Sequence, residues 1–265
     1  MVAVTANRLR WGALAWVLTL QFFVVETIAE IRFGGSYSRI DHVISDLGAE
    51  GSPAATLMNA SFVLQAALIL AGTLLLRPAL GGTAGRVAPV LLELGAAGVL
   101  LVGVFPSDGN GALHATGAVL YLLGGGLGLI ALAYTLRPRS EVLGTALALL
   151  GLVGTAMTVF YVAGVTAYLG EGGTERAAAY VLPLGLALTG LALWRSGGPY
   201  GQSPQAPGRR EERAQVRAAR AEQQRARDDA LEAAARRPAE GLAHEEPDDG
   251  ADDDPWAAPG RRRVD

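Results

Sequence analysis

Among the 265 residues there is no cysteine and no lysine. The first absence excludes a disulfide framework and any thiolate metal site. The second leaves arginine as the only strongly basic side chain, a bias that, with abundant alanine and glycine, points to a high-GC bacterial genome. Net charge is scarce as well, 22 basic against 25 acidic residues giving a formal charge of −3. The arginines of the apolar part are scattered, so nucleic-acid binding has no electrostatic footprint there. What abounds is apolar side chain, 51% of the sequence, and the mean hydropathy is +0.30 although the last quarter of the chain is polar. An ordinary soluble domain has neither property; a membrane-embedded body with a soluble tail has both.

A bilayer core of about 30 Å needs about 20 mostly apolar residues in helix. Stretches 11–31, 54–76, 87–105, 112–136, 142–169 and 177–194 qualify. The fifth is longer than a span needs, which implies tilt or projection. The first has Arg8 and Arg10 ahead of it, as a signal peptide would. No small-x-small cleavage site follows, so it is expected to be a retained span. Ser52-Pro53, Ser140 and Thr174 stand where helix N-caps are expected. Gly124 and Gly128, with Gly95, Gly98, Gly151 and Gly154, make flat surfaces for close helix packing. The expected fold is an all-α integral membrane protein. Residues 1–195 form a six-transmembrane-helix bundle and residues 196–265 a low-complexity cytoplasmic tail.

Arginine placement sets the expected orientation. Arg8, Arg10, Arg77, Arg86, Arg137, Arg139 and Arg195 flank one set of span ends. The other set has only Arg32 and Arg39, offset by acids, and Arg176. By the positive-inside rule both termini are cytoplasmic, in a plasma membrane. In the tail, "GGPYGQSPQAPG" reads as a flexible linker and "RREERAQVRAARAEQQRARDDALEAAARR" favours helix but is polar all round. "EEPDDGADDDPW" is acidic and disordered by composition. A solvated, mostly disordered or partly helical tail is expected.

Two polar stretches then fall on the extracytoplasmic side. In "YSRIDHVISDLGAEGSP", from Tyr37, residues Ile40, Val43, Ile44 and Leu47 recur at i, i+3, i+4 and i+7. That pattern predicts a short amphipathic helix at the membrane interface, begun by a Ser38–Asp41 capping box and ended by a left-handed Gly48. On such a helix His42 and Asp46 would be neighbours. The second stretch, "GVFPSDGNGALHATGA", is a tight turn holding Asp108 and His114 near the same mouth. Glu26 and Glu30 before, and Glu171 and Glu175 after, are placed to join them.

The run "ISDLGAEGSP", the Asn59 that follows it, and "GVFPSD" with a histidine six residues after the aspartate carry a resemblance. The chain resembles the bacterial membrane proteins grouped as domain of unknown function 998, over roughly residues 11–194. Ser45, Asp46, Gly48, Pro106, Asp108, His114 and Gly117 fall on the motif positions, and His42 does not. The resemblance implies a multi-pass membrane body and brings no activity with it.

For Asp46 and Ser45, capping of helix ends competes with ligation or general-base work. For Asp108 the competing role is turn chemistry, and for His114 a helix-end hydrogen bond. The leading expectation is a polar extracytoplasmic pocket that binds a membrane lipid headgroup or a small polar ligand through Asp46, Asp108, His114 and His42. The alternative is a metal-dependent, membrane-embedded lipid hydrolase. Asp46, Asp108 and His114 would then hold Zn²⁺ with an activated water and Ser45 would orient the substrate, so the catalytic candidates are Ser45, Asp46, Asp108 and His114. A third reading, proton-linked transport, rests on Glu93 inside the third span, with Gln65, Asn59 or Arg86 as partner.

Overall fold

The computed structural model describes residues 6–33, 37–196 and 209–236. The linker sequence 197–208, the acidic run 245–256 and His244 lie outside the described residues. Six helical stretches, Ala6–Phe33, Ala55–Ala79, Ala84–Val104, Gly111–Leu136, Glu141–Val162 and Gly170–Arg195, are long and apolar enough to cross a membrane. No strand occurs among the described residues.

The first span is two helices, α1 (Ala6–Leu18) and α2 (Gln21–Phe33). At their junction the Thr19 hydroxyl donates to the Trp16 carbonyl at 2.6 Å. Backbone bonds there close three residues back, as with Leu20 N–H to Val17 O. A side-chain competitor for a helical carbonyl tightens and bends the helix at this point. Arg8 donates to the Leu74 and Leu75 carbonyls, capping the end of α3 (Ala55–Leu76).

The centre is built on glycine. Helix α4 (Ala84–Val104) and helix α5 (Gly111–Leu136) approach until a Cβ on Gly98 would collide with the Gly117 carbonyl. On the other side of α5, Gly126 meets Gly151 of α6 (Glu141–Val162) in the same way. Ser140 caps α6, accepting from Leu143 N–H at 3.3 Å, as its sequence position predicts. The fifth span does not run on to residue 169. It stops at a turn in which Gly164 has φ of 69°, so the surplus length is loop and not tilt.

The last span starts earlier than hydropathy alone predicts, with α7 (Gly170–Ala179) followed by α8 (Val181–Ser196). Thr174 is inside α7 and its hydroxyl donates to Gly170 O at 2.7 Å, so it is not an N-cap. The break between the two helices follows from Pro183. Its ring lacks the N–H that would bond the carbonyl four residues back and crowds that same carbonyl. The carbonyl in question, Ala179 O, accepts instead from the Tyr121 hydroxyl at 3.3 Å.

The chain divides into two compact units at Pro204. The second contains α9 (Arg209–Arg236), a helix whose described side chains from Val216 to Ala234 are all exposed. This basic stretch is helical as its sequence favours, carried there by its alanine, arginine and glutamate content.

Candidate functional site

At the end of the bundle where α2 stops and α3 begins, the polar residues collect around Arg176 of α7. Only 5% of this arginine is exposed. Its Nε donates to Glu26 Oε1 at 3.0 Å, and its Nη1 to the carbonyls of Arg39 at 3.0 Å, His42 at 2.7 Å and Gly172 at 3.1 Å. Its Nη2 donates to the Tyr37 hydroxyl and lies 3.8 Å from Glu30 Oε1. Glu26, 1% exposed, also accepts from the Tyr180 hydroxyl at 2.7 Å. Glu30 takes the Arg39 Nε at 2.8 Å. Burial pushes the Tyr37 hydroxyl up to about 12 against the pull of the Arg176 guanidinium. The phenol therefore stays protonated and donates to Val43 O at 3.2 Å.

This network decides the conformation of the Tyr37 stretch. Gly172 and Gly173 N–H at the start of α7 donate to Ile40 O at 2.9 and 3.2 Å. Glu175 accepts the Ile44 N–H at 2.5 Å. A helix over 40–47 would need Ile40 O and Ile44 N–H for each other. With both engaged elsewhere, residues 39–41 form a turn and only Ile44–Gly48 is helical, as a single 3-10 turn. The expected amphipathic α-helix is thus replaced, and His42 and Asp46 do not share a helical face. Ser38 keeps the role of a local cap, receiving the Ile40 and Asp41 amides at 3.3 Å while donating to Asp41 Oδ2 at 2.7 Å.

Several motif residues tie loops together. Asn59 Nδ2 donates to Gly48 O at 2.8 Å, and a Cβ on Gly48 would collide with the Asn59 side chain. Close approach, not a left-handed backbone, is therefore what requires glycine at 48. Asp108 Oδ2 accepts from Glu50 N–H at 2.6 Å, clamping the turn after α4 to the segment before α3. An open groove of about 310 Å³ lies beside it, lined by Gly48, Glu50, Asn59 and Pro106. His42 accepts the Ser38 N–H through Nδ1 at 3.2 Å and stacks on Tyr37 with ring centroids 5.2 Å apart.

A different grouping surrounds a cavity of about 30 Å³, space for one or two water-sized groups. Its apolar wall includes Phe22, Phe62, Val99 and Leu122, and its polar residues include Ser45, His114 and Glu175. His114 Nδ1 lies 2.8 Å from Phe105 O. A carbonyl only accepts, so Nδ1 carries a proton, and in a neutral ring that assigns the acceptor role to Nε2. Asp46, half-buried, and Asp108 do not line this cavity. Among the described residues no three His, Asp or Glu side chains come together to hold a metal ion. The three proposed zinc ligands, Asp46, Asp108 and His114, are therefore not assembled as a set.

Glu93, the acid of the third span, lies 4.0 Å from Arg77 Nη1, and among the described residues it makes no hydrogen bond or ion pair with Gln65, Asn59 or Arg86. Gln65 instead receives a bond from Gln21 at 3.2 Å. Sequence reasoning used Arg176 only as a mark of orientation and overlooked Tyr37 and Tyr180. The available signal was an unmatched arginine among Glu26, Glu30, Glu171 and Glu175 in segments predicted at one mouth.

Six helical spans, closed at one end by a buried arginine–carboxylate network, define a multi-pass integral membrane protein. The chain belongs to the family described as protein of unknown function (DUF998), whose model matches residues 12–193. No curated protein and no solved structure matches it.

Proposed function

We propose that the protein binds a lipid headgroup or small polar ligand at the extracytoplasmic end of its bundle, in the plasma membrane. One observation carries the reading. Ser45, His114 and Glu175 come from three segments far apart in sequence and line one otherwise apolar cavity. Binding sites are commonly apolar hollows with a few placed polar groups that fix orientation. The arginine distribution supports the sidedness. Arg39 and Arg176, at the cavity end, are matched by Glu30 and Glu26, whereas arginine is concentrated at the opposite span ends.

Ala118 also lines the cavity, so Ala118→Leu should fill it. Native mass spectrometry of the detergent-purified protein should then find less co-purified lipid or small ligand on the variant than on the wild type. Equal bound mass on both, or none on the wild type, overturns the reading.

A further inference from the structure

The chemistry of the cavity wall narrows the ligand class. Of the carboxylates in this region, Glu26 pairs with Arg176 and Glu30 with Arg39. Glu175 makes no ion pair among the described residues, and its one hydrogen bond, from Ile44 N–H, goes to Oε2. Oε1 is left without a donor. The neighbouring guanidinium of Arg176 is already engaged by Glu26 at 3.0 Å. Glu175 is half-buried, and a carboxylate drawn out of water calls for a cation or a proton. Beside it Ser45, only 8% exposed, makes no side-chain hydrogen bond among the described residues. His114 offers Nε2, because its Nδ1 is committed to Phe105 O.

Resting on the binding reading above, we infer that the group recognised here is a primary ammonium, carried by an aminophospholipid headgroup or by a free amine. An ammonium has three N–H donors and no acceptor, and three residues that line the cavity carry an uncommitted acceptor: Glu175 at Oε1, Ser45 at Oγ and, in the neutral ring, His114 at Nε2. The space of about 30 Å³ suits a water-sized group. A trimethylated nitrogen is several times larger and has no N–H to give. A water satisfies part of the set but brings no positive charge, and a phosphate or carboxylate meets Glu175 with like charge. Phe22, Phe62 and Tyr121 line the same space, and aromatic walls favour a cation further.

The test is isothermal titration of the full-length protein in detergent with dioctanoyl phosphatidylethanolamine, phosphatidylcholine and phosphatidylglycerol, and with ethanolamine alone. The ethanolamine lipid should bind at least tenfold more tightly than the choline and glycerol lipids. Glu175→Gln should lose at least tenfold of that affinity, and Ser45→Ala a smaller part, with melting temperatures confirming that both fold. Should Glu175→Gln not fold, the headgroup preference of the wild type and its weakening in Ser45→Ala decide the question. Competition by ethanolamine alone identifies a free amine as the ligand; its failure to compete identifies the lipid. Equal binding of all three lipids, unchanged in Glu175→Gln, removes the ammonium inference and leaves the cavity reading standing. Binding of none removes both.

Discussion

Arg176 shows what one side chain can hold. Its guanidinium reaches from α7 to Glu26 on α2 and to carbonyls of the 39–42 turn. Taking these charges out of water is costly, and the mutual attraction repays that cost only while every partner is present. Arg176→Met should therefore destabilise the fold by about 3–5 kcal/mol, since it strands Glu26 without compensation. Glu26→Gln should act in the same direction, and the double variant should lose less than the sum of the two. Unfolding by SDS titration in mixed micelles measures all three. Additive losses would mean that the two residues act independently. The sequence placed Glu26 and Glu30 at the right mouth but could not rank Arg176 above any other loop arginine. Burial is a property of what packs around a residue, and no periodicity encodes it in a segment as short as "EGGTER".

At the scale of elements, the stretch 37–48 is held from outside itself. Its apolar spacing is helical, and an isolated peptide would have only that to follow. In the folded chain α7 takes the Ile40 carbonyl and supplies the acceptor for Ile44 N–H, and the helix gives way to a turn and a 3-10 segment. The start of α7 must be slim for this contact. A Cβ on Gly172 would collide with the His42 carbonyl, and Gly170 combines a similar approach to Ile40 O with φ of 73°. Gly172→Ala should force the 40–42 turn away, at about 1–3 kcal/mol for overpacking. Hydrogen exchange of the Gly172, Gly173 and Ile44 amides should rise while α5 stays protected. Unchanged exchange at these amides would show the turn to be held by other contacts. The glycines of α4, α5 and α6 behaved as their spacing predicts because helix-to-helix approach depends on a stripe along one element. The Gly48 requirement was legible only as a glycine, since its cause, Asn59, sits on another helix.

For the whole molecule, the sidedness on which the binding proposal depends is open to a direct measurement. Because the chain has no cysteine, single substitutions report without background. Glu50→Cys lies at the cavity end and Gly81→Cys in the loop at the opposite end, both exposed. A membrane-impermeant maleimide applied to intact cells should label the first and spare the second until the membrane is opened. The reverse pattern would put the cavity on the cytoplasmic side and overturn the assignment.

The sequence alone determined that this is a six-span helical membrane protein, because span length and hydropathy are set by the bilayer and can be counted residue by residue. It also determined which two loops meet at one mouth, since alternate loops of consecutive spans share a side. The tertiary structure decided which polar residues act together. Asp108 and Asn59 became loop clamps, Arg176 became the buried hub, and Ser45, His114 and Glu175 were gathered around one small cavity. Those assignments turn on where backbone donors and acceptors are spent between distant segments, and that is settled only when the helices pack.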